Sequence, residues 1–210
     1  QSEMVVGDVA VSFFSTFPQV SVDIKDVRIA GAPSRTGAEA DTLLNVSKLG
    51  IAFSLWEVLF GDPVIRSIYI EDGELLIEEF ARGKWNYEIS NGGSDNTNLQ
   101  ISSIHLSSID FLYKEKGKEK SSCIINSASH SDGLISISFQ DFKYDGVSDV
   151  FVPLFGELDA NYSISKDGLY RATIKNGVLN NLSTTCDISW SPKNDIEAKG
   201  HFSNVTKDDL

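Results

Sequence analysis

The sequence is short of basic residues relative to acidic ones. Its 210 residues include 18 Lys and Arg against 30 Asp and Glu, which gives a formal net charge of −12. A surface of this charge repels nucleic acid unless a basic stripe is segregated from the acids. The one basic cluster, KEKGKEK at 114–120, alternates Lys with Glu around Gly117. We interpret it as a hairpin tip whose charges discourage edge pairing, and we expect no nucleic-acid partner.

Long hydrophobic runs and cysteines are also scarce. No run of about 18 apolar residues occurs, so we expect none of the printed residues to cross a bilayer, and no signal-peptide pattern is seen. Cys123 and Cys186 form no CxxC motif and are too few for a tetrahedral metal site. They are compatible with one disulfide in an oxidising compartment and also with two buried free thiols.

The residues that usually carry catalysis are scattered. His105, His130 and His201 lie far apart, and none has a metal-ligand neighbour at i+2 or i+4. His105 lies between two apolar residues, which places it on the solvent face of its strand. The acidic pairs at 71–72 and 78–79 point to opposite faces of a strand and cannot converge on one glycoside. We therefore expect no enzymatic activity, no metal site and no cofactor.

Alternation of apolar and polar residues runs through nearly the whole chain, whereas helical periodicity is nearly absent. This pattern predicts an all-β protein. Between the alternating runs lie turn signals, which are Asp72-Gly73, Asn91-Gly92-Gly93, Asp132-Gly133, Asp167-Gly168 and Asn176-Gly177.

The alternation changes parity within several strands. Val20, Val22 and Ile24 alternate, and Val27 and Ile29 continue on the other parity. Both groups can face one core only if an extra residue bulges out between them, or if the strand passes from one sheet to another. Because either device coils a sheet, we predict an elongated, strongly coiled antiparallel sheet, shaped as a trough or half-barrel.

An internal repeat links two strand segments at an offset of 36 residues. IRSIYIEDGELLI begins at Ile65 and ISSIHLSSIDFLY begins at Ile101, and a weaker third copy, VDIKDVRI, begins at Val22. Because β patterns also resemble one another by chance, chance similarity is the alternative explanation. A genuine repeat predicts a sheet extended by stacking similar units.

The stretch SLWEVLFGDP at 54–63 predicts one short helix. Ser54 and Glu57 form a capping-box pattern, and Gly61 with Pro63 supplies a stop. A helix of fewer than two turns is unstable alone, so we expect residues 55–60 to be buried as a plug over one end of the sheet. The residues assigned to this structural plug are Leu55, Trp56, Leu59 and Phe60. The alternative is an outward-facing patch that binds a membrane or a partner.

Four motifs follow one another within the first 90 residues. Phe17-Pro18 precedes a strand, and Lys48-Leu49 lies in a strand that runs into the short apolar helix. An I-x-x-I-x-I/L strand follows at 65–70, and Gly83 to Asn86 forms a G-x-x-N signature. This succession resembles the N-terminal region of the AsmA-like family of bacterial envelope proteins. The resemblance covers residues 5–90 and extends loosely through 113.

The resemblance implies a location and a class of ligand. AsmA-like proteins are usually anchored in the inner membrane by one N-terminal helix, which would lie before Gln1, with the remainder in the periplasm of a Gram-negative envelope. They look related in architecture to TamB and to chorein-type bridge proteins, which form β-troughs along which acyl chains are thought to pass. Lipid acyl chains and other envelope proteins are thus the implied partners. The chain is much shorter than most AsmA proteins, so it is either a fragment or a short trough.

Two functions follow as hypotheses. The first is a non-enzymatic periplasmic segment that supports lipid transport or outer-membrane assembly through an apolar β-groove. The candidate groove residues are Val22, Ile24, Ile68, Ile70, Ile104 and Leu106. An ordinary closed core would show the same alternation. The alternative is a secreted β-sandwich that binds glycans or peptides, with Trp85, Tyr87 and Tyr113 as stacking platforms.

The predicted domain organisation has three parts. Residues 1–90 form an AsmA-like N-terminal β region, with its short helix near 55–60. Residues 91–98 form a Gly/Asn/Ser-rich linker or loop, and residues 99–210 continue the sheet of the same elongated domain.

Overall fold

The fold is almost entirely β, as the sequence predicts. The computed structural model describes residues 4–12, 19–32, 41–61, 64–88, 101–131, 133–145, 155–164, 170–180, 182–190 and 196–203. These residues form thirteen strands and one short helix. In chain order the elements are β1 (Met4–Val5), β2 (Val9–Ser12), β3 (Gln19–Ala30), β4 (Thr42–Ser54), α1 (Leu55–Phe60), β5 (Ile65–Ala81), β6 (Lys84–Trp85), β7 (Ser103–Glu115), β8 (Lys118–Ser131), β9 (Leu134–Tyr144), β10 (Phe155–Ile164), β11 (Tyr170–Leu179), β12 (Leu182–Trp190) and β13 (Ile196–Ser203).

All thirteen strands belong to one sheet. Its order is β1, β3, β4, β5, β7, β8, β9, β10, β11, β12, β13, with β2 also pairing with β3 and β6 with β5. The pairing is antiparallel, as predicted, except at one place, where β5 and β7 are parallel. Parallel neighbours need a crossover of about a dozen residues or more, and the chain between Ala81 and Ser103 provides it. The predicted linker at 91–98 lies within this crossover and outside the described residues.

The internal repeat coincides with the parallel pair. Ile68 pairs with Ile104 and Leu75 with Phe111, and the offset of 36 residues holds along the whole ladder. The third copy lies in β3 and joins this register through β4, since Val22 pairs with Ile51 and Ile51 with Ile68. The copies of the repeat therefore lie in register within one sheet.

A line of five unpaired residues crosses the sheet, and we call it the seam. It comprises Asp26, Ser47, Asp72, Ser108 and Asn126 on β3, β4, β5, β7 and β8, each skipped in the pairing of its strand. All five are exposed. Asp26, Asp72 and Ser108 have φ of 51°, 55° and 55°, in the left-handed region that only a few per cent of non-glycine residues adopt.

The seam explains the change of parity in the sequence. Ile24 and Val27 lie on opposite sides of Asp26, yet Ile24 packs against the buried cluster that contains Val27. The predicted outward-pointing residue is present, but neither β3 nor β4 carries an extra residue there, because Lys25 pairs with Lys48 and Val27 with Val46 in one register. The parity changes through the left-handed backbone of Asp26 instead. Val27 and Ile109, which both follow a seam residue directly, are fully buried.

The sheet is a single layer in the described part of the chain. The substantial contacts between elements join strands that are neighbours in the sheet, or join α1 to β4. The second sheet of a β-sandwich is thus not found among the described residues, and coiling into a trough stays a prediction.

The turn signals gave a mixed result. The hairpin tip at 114–120 is confirmed, because Lys116 and Gly117 with φ of 52° and 80° connect β7 to β8. Gly133 lies in the turn between β8 and β9. Asp72-Gly73 and Asn176-Gly177 were predicted as turns, but they lie inside β5 and β11 at irregular points of the sheet. The signals at 91–93 and 167–168 lie outside the described residues.

Candidate functional site

Three rows of side chains cross the sheet on one face, and together we call them the apolar band. Partners in a ladder point to the same side of a sheet, so each row follows from the strand register. The first row is Val11, Val22, Ile51, Ile68, Ile104, His130, Ile135, Ala160, Ile174, Cys186 and Gly200. The second row is Val9, Ile24, Leu49, Ile70, Leu106, Ala128, Ile137, Leu158, Gly177 and Thr184. The third row is Val27, Val46, Gly73, Ile109, Ile125, Phe139, Gly156, Leu179 and Leu182.

The composition of the band differs sharply from that of the opposite face, which we call the polar face. Within the three rows, only His130 and Thr184 have a nitrogen or oxygen atom in the side chain. On the polar face of β5, the corresponding positions are Ser67, Tyr69 and Glu71. The alternation seen in sequence therefore becomes two chemically distinct surfaces of one sheet.

The six predicted groove residues all lie in this band. Val22, Ile68 and Ile104 belong to the first row and Ile24, Ile70 and Leu106 to the second, and all six are half-buried. Leu49 and Ile51 of β4 lie between β3 and β5 in the same rows and were missing from the predicted set. Their alternation at 49–53 was a usable signal, but the neighbours of β4 are not evident from sequence.

The band is long enough to hold an acyl chain. From β3 to β12 it crosses eight strand spacings, or about 38 Å at roughly 4.7–4.9 Å each. One acyl chain spans about 15 Å, half of a bilayer core of about 30 Å. The band is therefore at least twice as long as one extended leaflet chain requires.

The grooves in the described part of the chain have mixed linings. One of about 480 Å³ is lined by Leu106 and Leu158 of the band and also by Ser136 and Asp159 of the polar face. Another of about 700 Å³ combines leucines such as Leu112 with charged residues on β5, β7, β8 and β9. Neither lining is purely apolar.

Helix α1 has the predicted bounds but not the predicted burial. Trp56, Leu59 and Phe60 expose 58%, 58% and 80% of their surface, and the Trp56 and Phe60 rings stack on each other 6.0 Å apart. The assignment of these residues to a buried plug is therefore wrong; Leu55 is half-buried. Among the described elements the helix makes its substantial contacts with β4, because it continues directly from the end of that strand.

The Gly83 to Asn86 signature forms a tight turn fixed to β5. Asn86 is 3% exposed, its side-chain oxygen accepts the Glu78 N–H at 2.9 Å, and its amide donates to the Leu76 carbonyl at 2.7 Å. Gly83 has a φ of 69°, which suits glycine. The signature thus holds the end of β5, where the buried Glu78 carboxylate accepts the Gly117 N–H at 3.0 Å.

The three aromatic residues proposed as stacking platforms do come together. Trp85 stacks with Tyr87 at 5.6 Å and with Tyr113 at 6.3 Å between ring centroids. Tyr87 is 50% exposed. Desolvation, with smaller contributions from Glu79 and Glu115, raises the pKa of Tyr113. The cluster lies at the end of β5 and β7, away from the three rows of the band.

Both cysteines are free and half-buried. Burial raises the pKa of the Cys123 thiol. In the part of the chain that the structure describes, no three His, Cys, Asp or Glu side chains are arranged to hold a metal ion. Over the same residues, no helix has the length and hydrophobicity needed to span a membrane.

Comparisons with protein-family models, with curated proteins and with solved structures found no match to this chain. The AsmA-like assignment therefore stays a prediction based on motif order.

Proposed function

We propose that this chain is a non-enzymatic periplasmic segment of an AsmA-like envelope protein, and that it supports lipid transport by holding acyl chains on the apolar band. The observation that carries the proposal is the band, whose first two rows keep half-buried or exposed apolar side chains on a sheet with no second layer among the described residues, whereas most of the third row is buried. An ordinary β-domain covers such a face with another sheet or with helices. Here acyl chains would take the place of that layer.

The energetics favour an apolar ligand on this face. Removal of apolar surface from water contributes about 25 cal/mol per Å². The half-buried side chains of the first two rows retain exposed area that an acyl chain would cover. A polar ligand would have only His130 and Thr184 as side-chain partners along the rows, and Thr184 is buried. The band therefore suits lipid tails better than sugars or peptides.

Photo-crosslinking tests this proposal directly. Ile70 and Tyr69 are adjacent on β5, and they lie on the band and on the polar face respectively. A photoreactive benzoyl-phenylalanine at position 70 should form adducts with phosphatidylethanolamine supplied as vesicles, and the same group at position 69 should not. Mass spectrometry of the adducts reads out the result. Equal labelling at both positions, or no lipid adduct and no lipid retained after native purification, would overturn the proposal.

A second candidate is a binding module for glycans or peptides. The stacked cluster of Trp85, Tyr87 and Tyr113 favours it, because aromatic faces bind the apolar faces of sugars and peptide side chains. Its β-sandwich architecture is wrong for the described residues, which form one sheet. Selective hits on a glycan array, abolished by Tyr87→Ala, would favour this function over lipid binding.

A further inference from the structure

One hydrogen-bonded pair lies at the margin of the apolar band. The Nε2 atom of His130 and the Oη atom of Tyr162 are 2.7 Å apart, and their rings are tilted by 40° at a centroid distance of 5.4 Å. His130 belongs to the first row, between Ile104 and Ile135. Apart from the thiol of Cys186, it is the one ionisable side chain in the three rows. Tyr162 is two residues beyond Ala160 on β10 and so lies on the same face.

The pair lies beside the turn that joins β8 to β9. His130 is the penultimate residue of β8, and the Tyr162 N–H donates to the Gly133 carbonyl in that turn at 2.8 Å. Both side chains are half-buried. A molecule lying along the band could therefore place one end at this margin, where its end group meets both the pair and water.

The pair has one hydrogen-bond donor more than it uses. A neutral histidine carries one N–H and a tyrosine carries one O–H, and the two side chains share a single hydrogen bond. If Nε2 donates, the tyrosine O–H is left over, and if Oη donates, the Nδ1–H of the histidine is left over. Within the described part of the chain neither side chain makes another hydrogen bond. The pair can thus donate to an acceptor outside the sheet.

We infer that His130 and Tyr162 form a head-group site, which binds the anionic oxygen of an acyl amphiphile whose tail lies on the band. The inference rests on the proposed function, since the band supplies the site for the tail. A carboxylate of a fatty acid and a phosphate of a single-chain phospholipid share the required chemistry, because both present charged oxygen acceptors. The tail would run from His130 past Ile104 and Ile68, along the first row.

The opposite face supplies a matched control. Tyr69 and His105 form a second Tyr–His pair, with rings stacked 4.8 Å apart, on the polar face of β5 and β7. His105 is only one residue from Ile104, yet it points away from the band and shares a hydrogen bond with Ser103 at 3.1 Å. Changes to this pair alter the same residue types in the same sheet without touching the site.

The experiment compares three fluorescent probes with the same chain length, which are a fatty acid, a lysophosphatidic acid and a hydrocarbon without a head group. We expect His130→Leu and Tyr162→Phe each to weaken binding of an anionic probe about tenfold, equivalent to about 1.4 kcal/mol. Binding of the hydrocarbon probe should not change. His105→Leu and Tyr69→Phe should leave all three affinities at the wild-type value. Loss with only one anionic probe would support the site and assign its head group.

Separate outcomes distinguish this inference from the proposed function. Wild-type binding of all three probes, unchanged in both site variants, would overturn the head-group site and leave acyl binding intact. Failure of every probe to bind the wild type would overturn both. A thermal melt checks each variant, and Tyr162→Phe, which removes a single oxygen atom, provides the test if His130→Leu does not fold.

Discussion

Ile68 and Ile104 lie side by side in the parallel ladder between β5 and β7, 36 residues apart in the chain. The same offset relates the seam residues Asp72 and Ser108, which are skipped together in that ladder. The weaker copy in β3 has its own seam residue, Asp26, with the same left-handed backbone. The position where the parity changes is therefore a property of the repeated unit. Side-by-side pairing of the units aligns these positions into one line.

The first prediction concerns the packing beside the seam. A Cβ atom added at Gly73 would lie 2.6 Å from the Val46 Cα atom, a backbone contact that cannot yield by side-chain rotation. Gly73→Ala should therefore lower the free energy of unfolding by about 1–3 kcal/mol or more. Gly200→Ala is the control, because the nearest atoms there are 3.5 Å away. Equal urea midpoints for the two variants would contradict the close packing.

The second prediction concerns the exposed helix. Trp56→Ala and Phe60→Ala should change the free energy of unfolding by less than about 0.5 kcal/mol, because both rings are largely exposed. Ile109→Ala, at a fully buried position, should cost about 2–5 kcal/mol. Thermal melts of the three variants give the comparison. A fall for Trp56→Ala as large as that for Ile109→Ala would restore the buried plug.

The third prediction concerns the turn at Gly83 to Asn86. Asn86→Ala removes the amide that bonds the Glu78 N–H and the Leu76 carbonyl, and it leaves both without that partner. The expected loss of stability is about 1–3 kcal/mol. Asn45→Ala, on an exposed side chain of β4, is the matched control and should be near neutral. Denaturant titration measures both, and a neutral Asn86→Ala would show that the turn is held by other contacts.

The fourth prediction is a pH dependence at Cys123. Burial raises the pKa of this thiol in the folded chain above its value in the unfolded chain. Its contribution to stability is thus complete below the unfolded pKa, and it is lost as the pH rises through the folded pKa. In a Cys186→Ser background, the alkylation rate of Cys123 should reach its midpoint at a higher pH in the folded protein than in urea. A midpoint at the same or lower pH would refute the shift.

Sequence patterning was sufficient for the fold class and for most of the band. Period-two alternation predicts strands because side chains of a strand alternate between its faces, and this property is local. The parity change at Asp26 predicted an outward-pointing residue for the same reason. The sequence repeat at Ile65 and Ile101 has the same 36-residue offset as the pairing of β5 with β7. It could not show that these strands are parallel, because strand direction depends on the crossover that connects them.

Other features depend on contacts that local sequence does not determine. Asp72-Gly73 has the composition of a hairpin turn, and the same tolerance of positive φ serves the seam inside β5. The glycine is required there by the neighbouring backbone of Val46. The capping pattern gave the ends of α1 correctly, because capping is local. It could not show which surface of Trp56 would be covered, because burial depends on the rest of the fold.

The rows of the apolar band run across the strands, so the length of the band is counted in strands and its width in residues. One additional hairpin at the β13 edge would lengthen the band by two strand spacings, about 9–10 Å, without changing an existing residue. Insertion or loss of a hairpin between two existing ones would shift the downstream rows as a block. A longer chain would keep the same surface chemistry only if each added hairpin carried apolar side chains at its positions in every row.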